Sequence, residues 1–168
     1  MKRLLLLMLS SLAMAAALPS TAEAAPRQAP RLANPARAPI LGATMAGMRI
    51  VAVGDYGAVI LSDDGRNFRQ SRVPTRATLT SVFFLDANQG WATGHDGTIL
   101  ATSDGGETWR LLREEPGKER VLLSIWFENT RHGLAVGQFG LVLETTDGGN
   151  TWQERRLAEG DAGEMHLQ

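Results

Sequence analysis

The chain has no cysteine, one tyrosine and two lysines among its 168 residues. The lack of cysteine excludes disulfides, thiolate metal sites and a cysteine nucleophile. An excess of one charge is lacking as well, since 17 basic residues stand against 18 acidic ones and the net charge at pH 7 is −1. This balance leaves no electrostatic basis for binding nucleic acid. Past residue 40 the sequence has no helical period either, which favours an all-β fold.

Long apolar runs are also scarce, and the one that exists lies at the N-terminus. Two basic residues precede an apolar stretch that ends at Leu18, and residues 22–24 have the A-x-A pattern of a cleavage site. An apolar run shorter than the roughly 18 residues of a membrane span is typical of a secretory signal. We therefore expect residues 1–24 to be a signal peptide, and the mature protein to have no transmembrane span and to be exported, either periplasmic or secreted.

Proline is concentrated just after this signal. Four of the seven prolines lie in residues 26–39, among alanine, arginine and glutamine and without a hydrophobic period. Such a composition is typical of an extended linker. We assign residues 25–48 to a Pro/Ala-rich linker.

From residue 49 onward the sequence repeats. Three segments share the pattern A-V-G-x-x-G, or a close variant, followed by a short apolar strand; they are Val51–Ser62, Trp91–Thr102 and Leu134–Thr145. The second glycines of these blocks are 40 and 43 residues apart. A second block, L-x-S-[VI]-x-F, occurs twice with the same spacing of 43, at Leu79–Phe84 and Leu122–Phe127. Two blocks with one period define three repeat units, which span about 49–78, 79–121 and 122–164.

Each unit predicts four antiparallel strands of about 5–7 residues, rich in β-branched and aromatic residues and separated by turns that contain glycine. Four such strands per roughly 40 residues are typical of one blade of a β-propeller. About three blades are fewer than the roughly 4–8 of a closed propeller, so the expected partial propeller over residues 49–168 is open or incomplete. Three explanations stay open: a truncated product, an arc that closes by self-association through its open edges, and an open stack.

The turn between the third and fourth strands carries the most specific motif of the chain. Two copies fit [ST]-x-D-x-G-x-T-W, with Thr102, Asp104, Gly106, Thr108 and Trp109 in one copy and Thr145, Asp147, Gly149, Thr151 and Trp152 in the other. A shorter, degenerate copy starts at Ser62. This pattern is the Asp box, or bacterial neuraminidase repeat. Its carboxylate can accept hydrogen bonds from the turn, its glycines allow positive φ, and its tryptophan covers the hairpin. We assign these residues a structural role.

A repeated carboxylate beside glycines also raises the question of calcium. Calcium takes about 6–8 oxygen ligands, whereas each turn offers one aspartate and a few hydroxyl and carbonyl oxygens. His95, His132 and His166 do not have the spacing of a metal site. We therefore expect neither a metal nor another cofactor.

Together, the signal, the two repeated blocks and the Asp boxes resemble the photosystem II stability/assembly-factor-like family over roughly residues 49–156. The resemblance implies a seven-bladed propeller without catalysis that docks onto a membrane-protein intermediate and chaperones its assembly. For this chain it implies a noncatalytic module that acts as scaffold or chaperone and has a protein partner, a subunit of a membrane complex.

Asp boxes also occur in sialidases, which gives the alternative of a remnant of a glycan-binding or glycoside-hydrolysing propeller. Resemblance to a sialidase would imply an active site with three arginines that bind the substrate carboxylate, a tyrosine nucleophile paired with a glutamate, and an aspartate that acts as acid and base. Tyr56 is the only tyrosine, and Arg72-Val73-Pro74 matches the Arg-Ile/Leu-Pro motif of sialidases weakly. We therefore expect no enzyme activity and no catalytic residue.

Arginine outnumbers lysine by 15 to 2, and its forked guanidinium suits the carboxylates of a protein partner. Six arginines fall in or just after the last strand of a unit: Arg72, Arg76, Arg110, Arg113, Arg155 and Arg156. If they share a face, they form a basic stripe for a partner. The alternative is that outer strands are exposed and therefore charged.

Overall fold

The computed structural model describes residues 27–155. These residues form three four-stranded antiparallel sheets in which the strands follow one another in chain order. The strands are β1 Ile40–Ala46, β2 Arg49–Gly54, β3 Val59–Ser62, β4 Arg69–Gln70, β5 Leu79–Phe84, β6 Gly90–Gly94, β7 Ile99–Thr102, β8 Arg110–Arg113, β9 Leu122–Phe127, β10 Gly133–Gly137, β11 Val142–Thr145 and β12 Gln153–Arg155. The prediction of an all-β, propeller-type repeat of about three four-stranded blades is confirmed.

Helix is confined, within residues 27–155, to four 3-10 turns of three residues each. Three of these turns join the second strand of a sheet to the third, at Asp55–Gly57, His95–Gly97 and Gln138–Gly140. None of the helical segments in this part of the chain is long enough to cross a membrane.

The A-V-G-x-x-G block is explained by a close backbone approach at its first glycine. Gly54, Gly94 and Gly137 end the second strands, and a Cβ at these positions would lie 1.8, 2.0 and 2.4 Å from a carbonyl oxygen. In each case this carbonyl precedes the first strand of the same sheet. A side chain would therefore push the second strand away from the start of the first.

The three sheets stack face to face, and their first strands β1, β5 and β9 lie next to one another. This is the arrangement of the inner strands of propeller blades. One apolar cluster lies between the first and second sheets and includes Val51, Leu61, Val82 and Leu100.

A second apolar cluster lies between the second and third sheets. There the ring of Trp91 stacks on Phe127 with 3.6 Å between centroids and 8° between planes. Phe127 is 1% exposed and Trp91 4%. This aromatic pair helps to fix the third sheet on the second.

The first sheet begins earlier than the sequence predicted. β1 lies inside the range 25–48 assigned to a linker, yet it pairs with β2 from Ile40 opposite Gly54 to Ala46 opposite Arg49. The sequence does not predict this strand because ILGATMA has few β-branched residues and lacks the L-x-S-[VI]-x-F pattern of β5 and β9.

The described part of the linker also lies against the first sheet. The Ala29 N–H donates to the Val73 carbonyl at 3.0 Å, and the Leu32 N–H donates to the Gln70 side chain at 2.8 Å. Proline-rich chain leaves its backbone groups unpaired, so it can bond to the edge of a sheet. The predicted signal peptide 1–24 and the end of the last repeat unit lie outside the described residues.

Replacement of Phe127 by alanine is expected to destabilise the chain by about 3–5 kcal/mol, because it removes the ring that stacks on Trp91 and leaves a cavity. The matched control is Phe139→Ala, since Phe139 is fully exposed on a turn of the same sheet and should change stability by no more than about 0.5 kcal/mol. Urea unfolding followed by tryptophan fluorescence measures both. Equal losses would contradict the assigned packing.

Candidate functional site

The Asp-box turn of the second sheet holds its own carboxylate. Asp104 Oδ1 accepts from the Thr102 hydroxyl at 2.8 Å and from the Thr108 N–H at 3.0 Å, and Oδ2 accepts from the Thr108 hydroxyl at 2.5 Å. The Gly106 N–H donates to the Thr102 hydroxyl oxygen at 3.0 Å, with φ of 85° at Gly106. The Trp109 indole N–H donates to the Gly106 carbonyl at 3.0 Å. The hydrogen-bonding groups of this motif therefore bind one another.

The third sheet repeats these contacts. Asp147 accepts from the Thr145 hydroxyl at 2.9 Å, from the Thr151 N–H at 2.9 Å and from the Thr151 hydroxyl at 2.7 Å. Trp152 donates to the Gly149 carbonyl at 3.0 Å. Gly149 has a φ of 90°, in the left-handed region that favours glycine.

The degenerate turn of the first sheet keeps the same role with one residue fewer. Asp64 accepts from the Asn67 N–H at 2.7 Å and from the Asn67 side-chain amide at 2.6 Å. Asn67 thus stands in for Thr108 and Thr151, three rather than four residues after the aspartate.

These hydrogen bonds lower the pKa of each Asp-box carboxyl group. The hydroxyl and N–H of Thr151 lower the pKa of Asp147 from 3.8 to about 2, and the N–H groups of Asn67 and Arg66 lower that of Asp64 to about 2. For Asp104, burial acts to raise the pKa, but the hydrogen bonds from Thr108 outweigh it and the pKa is lowered.

Within residues 27–155 no three His, Asp or Glu side chains come close enough together to hold a metal ion. Among residues 27–155, His132 has both ring nitrogens close to carboxylates, 2.9 Å from Glu128 Oε2 and 2.9 Å from Glu144 Oε1. Hydrogen bonds to Glu128 and then Glu144 raise the pKa of His132. Glu144 also binds Arg155.

The predicted arginines lie at two levels of the outer strands. Arg113 and Arg155 take equivalent places, opposite Ile99 and Val142, whereas Arg110 lies opposite Ala101 at the other end of β8. Arg113 Nη2 binds Glu115 at 2.8 Å. These three arginines therefore do not lie at one level across the outer strands: Arg113 and Arg155 share one level and Arg110 lies at another.

The remaining members of the set follow the first sheet or lie beyond the described chain. Arg76 Nε donates to the Gln28 carbonyl at 3.0 Å. Arg72 is exposed, and Arg72 and Arg110 form no ion pair with any residue of the described part. Arg156 lies outside the described residues. A common basic stripe stays a prediction.

Two surface clefts contain the unpaired arginines. One, of about 460 Å³, lies beside the N-terminal segment and is lined by Arg31, Arg72 and Trp109, among others. Another, of about 430 Å³, lies between the Asp-box turns of the second and third sheets and contains Arg110 and Trp91. Each cleft thus contains a guanidinium that has no carboxylate partner in residues 27–155, above an indole that is largely buried.

Sequence reasoning missed a cluster of ion pairs that joins the first and second sheets. Glu107 lies in the Asp box of the second sheet, and its two carboxylate oxygens accept hydrogen bonds from Nη1 and Nη2 of Arg69 at 2.5 and 2.6 Å. Arg49 binds the same carboxylate at 2.9 Å and also binds Asp63. The sequence contains no signal for these pairs. They become predictable only once it is known that the Asp box of the second sheet packs beside the first sheet.

The fold and the turns together define an Asp-box protein of the β-propeller class. Comparison with known proteins shows which members of this class the chain resembles. A family model described as photosynthesis system II assembly factor YCF48 matches residues 114–168. The photosystem II assembly protein Ycf48 of Thermosynechococcus vestitus is 42% identical over 38 residues, which is 23% of this chain and 11% of that protein. The resemblance to the photosystem II assembly-factor family is confirmed.

Two solved structures share the fold. A structure of YCF48 bound to D1 peptide matches with a TM-score of 0.60 and 23% identity over 70% of this chain and 40% of that one. YCF48 from Cyanidioschyzon merolae matches with a TM-score of 0.59 and 20% identity over 78% of this chain and 43% of that one. The chain thus spans less than half the length of these relatives.

Because the folded pKa of Asp147 is depressed, its carboxylate stabilises the fold above its ordinary pKa of 3.8, and this contribution is lost as the pH falls through about 2. Asp147→Asn is therefore expected to lower Tm at neutral pH, with the difference from wild type closing between pH 3.8 and about 2. Differential scanning calorimetry across this range measures the gap.

The control for this prediction is Asp96→Asn, because the Asp96 side chain accepts no hydrogen bond from the described residues and only its backbone carbonyl does. That variant should follow the wild-type curve of Tm against pH. A gap for Asp147→Asn that persists unchanged at pH 2 would show that the carboxylate charge is not what stabilises the turn.

Proposed function

We propose that this chain is a noncatalytic, exported interaction module that binds a polypeptide segment of a membrane-complex subunit and acts as a scaffold or chaperone in assembly. The observation that carries the proposal is the match of 70% of the chain to a structure of YCF48 bound to D1 peptide. The family match over residues 114–168 supports the same conclusion from sequence.

A noncatalytic role is supported by the state of the repeated carboxylates. Asp104 and Asp147 accept hydrogen bonds from the threonines of their own turns, and their lowered pKa keeps them ionised at neutral pH. A general acid needs a carboxyl group whose pKa is raised toward the working pH. The relatives named above are assembly factors, which gives no support to the sialidase-like alternative.

Export is supported by the sequence of residues 1–24, with its basic start, apolar run and A-x-A site. A propeller exported in this way meets the parts of membrane proteins that emerge from the lipid bilayer. Tails and loops of such subunits are the segments that an exported module can reach.

The clefts beside Arg72 and Arg110 are the places proposed for the peptide. A guanidinium binds a carboxylate through two parallel hydrogen bonds. Arg113 and Arg155 are less suited because Glu115 and Glu144 already bind them. The proposed ligand is therefore an extended peptide with at least one carboxylate, either acidic or at its C-terminus.

The full chain is expected to bind a synthetic peptide with the sequence of the D1 segment in the YCF48 structure, as measured by fluorescence anisotropy. The double variant Arg72→Glu/Arg110→Glu should weaken binding at least about tenfold, or roughly 1.4 kcal/mol in binding free energy. The reason is that it replaces two unpaired cations with negative charges that repel the carboxylate of the peptide. Binding should also weaken as salt rises.

The control is Arg37→Glu, an exposed arginine on the 3-10 turn of the N-terminal segment, which should change the affinity less than twofold. Absence of wild-type binding would contradict the proposed peptide ligand. Equal loss in the control and the double variant would contradict the two clefts as the site and leave only a general effect of charge.

A further inference from the structure

Residues 28–32 of the N-terminal segment lie along the outer edge of the first sheet like an added strand. The Ala29 N–H donates to the Val73 carbonyl at 3.0 Å, and the Leu32 N–H donates to the side chain of Gln70 at 2.8 Å. Residue numbers fall along one partner as they rise along the other, so the segment runs antiparallel to the chain that follows β4. This is the way in which an extended peptide adds to the edge of a sheet.

The edge binds the main chain of the segment rather than its side chains. The Gln70 side-chain amide also donates to the Pro30 carbonyl at 2.8 Å, and Arg76 Nε donates to the Gln28 carbonyl at 3.0 Å. The side chains of the segment form no hydrogen bond with other residues of the described chain. A different peptide in the same conformation can therefore make the same four bonds.

The second sheet holds this edge in place from behind. Ser71 Oγ lies 2.6 Å from the Gly106 carbonyl oxygen and 2.8 Å from that of Glu107, both in the Asp box of the second sheet. Ser71 is 8% exposed and Val73 1%. Because the second sheet fixes this part of the chain, the edge can keep its shape when the segment leaves.

Packing restricts one side-chain position of the segment. Ala29 packs against the apolar cluster between the first and second sheets. Gly57 lies close beside it, since a Cβ built on this glycine would be 3.3 Å from the Ala29 Cβ. The edge thus favours a peptide with a small residue at this place.

The charges make the segment a poor occupant of its own site. Arg31 and Arg72 both line the cleft of about 460 Å³. Both are exposed, and neither pairs with a carboxylate of residues 27–155. The segment thus brings a cation to a cation, and like charges in one cleft repel each other. A peptide with a carboxylate at the place of Arg31 would offer Arg72 a partner for two hydrogen bonds.

We propose that the edge formed by residues 70–76 is a binding site for the main chain of an extended peptide, and that residues 28–32 occupy it as a resident ligand that an acidic peptide displaces. The preferred ligand has a small residue at the place of Ala29 and a carboxylate at the place of Arg31. The displacement rests on the peptide-binding function proposed above, whereas the resident ligand and its site do not.

The resident segment sets a threshold for binding. A ligand tethered in the same chain competes at an effective concentration on the order of mM. A peptide that makes only the main-chain bonds competes poorly against it, whereas a peptide that adds an ion pair to Arg72 displaces it. When the segment leaves, Arg31 leaves with it, which removes the like charge from the cleft. The site is therefore selective for acidic segments.

Loss of the resident bonds should open the edge to a peptide in trans. In the full chain, Ala29→Pro/Leu32→Pro removes both N–H donors and keeps every charge and Gln70. A labelled, C-terminally amidated peptide of residues 27–33 with Arg31→Glu is expected to bind this variant at least about tenfold more tightly than wild type, as measured by fluorescence anisotropy. The same peptide without the substitution should bind the variant at least about threefold more weakly than the acidic peptide.

Two controls separate the site from general effects. Gln28→Pro adds a proline where the N–H donates no hydrogen bond within the described chain, and it should leave the peptide affinity close to that of wild type. Gln70→Leu added to the proline variant removes the side chain that supplies two of the bonds and should reverse the gain. Circular dichroism checks that each variant is folded.

Equal binding of the acidic peptide to wild type and to the proline variant, or a gain that survives Gln70→Leu, would overturn the proposed site. The D1-segment peptide gives the second readout, and its affinity should also rise in the proline variant. An unchanged affinity for that peptide would contradict the displacement. Absence of D1-segment binding to both proteins would contradict the function proposed above, and the peptide of residues 27–33 would still decide whether the edge is a binding site.

Discussion

Face-to-face burial between consecutive sheets is the interaction on which this structure depends. A four-stranded sheet of some 35 residues buries too little apolar surface to be stable alone, and a repeat protein solves this by stacking. Among the three described sheets, the second gives one face to the first sheet and the other to the third, and the rings of Trp91 and Phe127 meet in the second of these contacts. The stability of every described sheet is therefore tied to a neighbour.

The Asp boxes act on this stack by fixing where each outer strand begins. The carboxylates of Asp104 and Asp147 hold the turn, and the following tryptophan bonds back to a turn carbonyl. Glu107 extends the box toward the preceding sheet through Arg49 and Arg69. These ion pairs are partly exposed, and exposed pairs contribute about 0–1 kcal/mol. Their main effect is to select one alignment of neighbouring sheets, while apolar burial supplies the stability.

The sequence predicts the fold well wherever the repeat is visible. The strands β5 to β7 and β9 to β11 lie where period and glycine spacing place them, because both signals report local backbone geometry. The sequence does not predict β1, because this strand is stabilised by pairing with β2 and packing next to β5 and has little strand propensity of its own. The candidate site is harder to predict for the same reason. Arg113 is paired because the turn after β8 brings Glu115 to it, whereas Arg110 has no ion pair in residues 27–155. The sequence does not predict this difference, because it depends on the shape of that turn.

The turns between second and third strands show how such a repeat can keep its fold while its surface diverges. Their central residues, Tyr56, Asp96 and Phe139, have φ values of 56°, 54° and 57°, a region that costs non-glycine residues energy. The turn is held by backbone contacts, such as the 3.0 Å bond from Thr98 N–H to the His95 carbonyl. The backbone restricts the residue through its positive φ, but at Phe139 no packing contact fixes the side chain, whose ring is fully exposed. Positions of this kind, and the arginine clefts of the outer strands, are where a stack with a fixed core can acquire a particular partner.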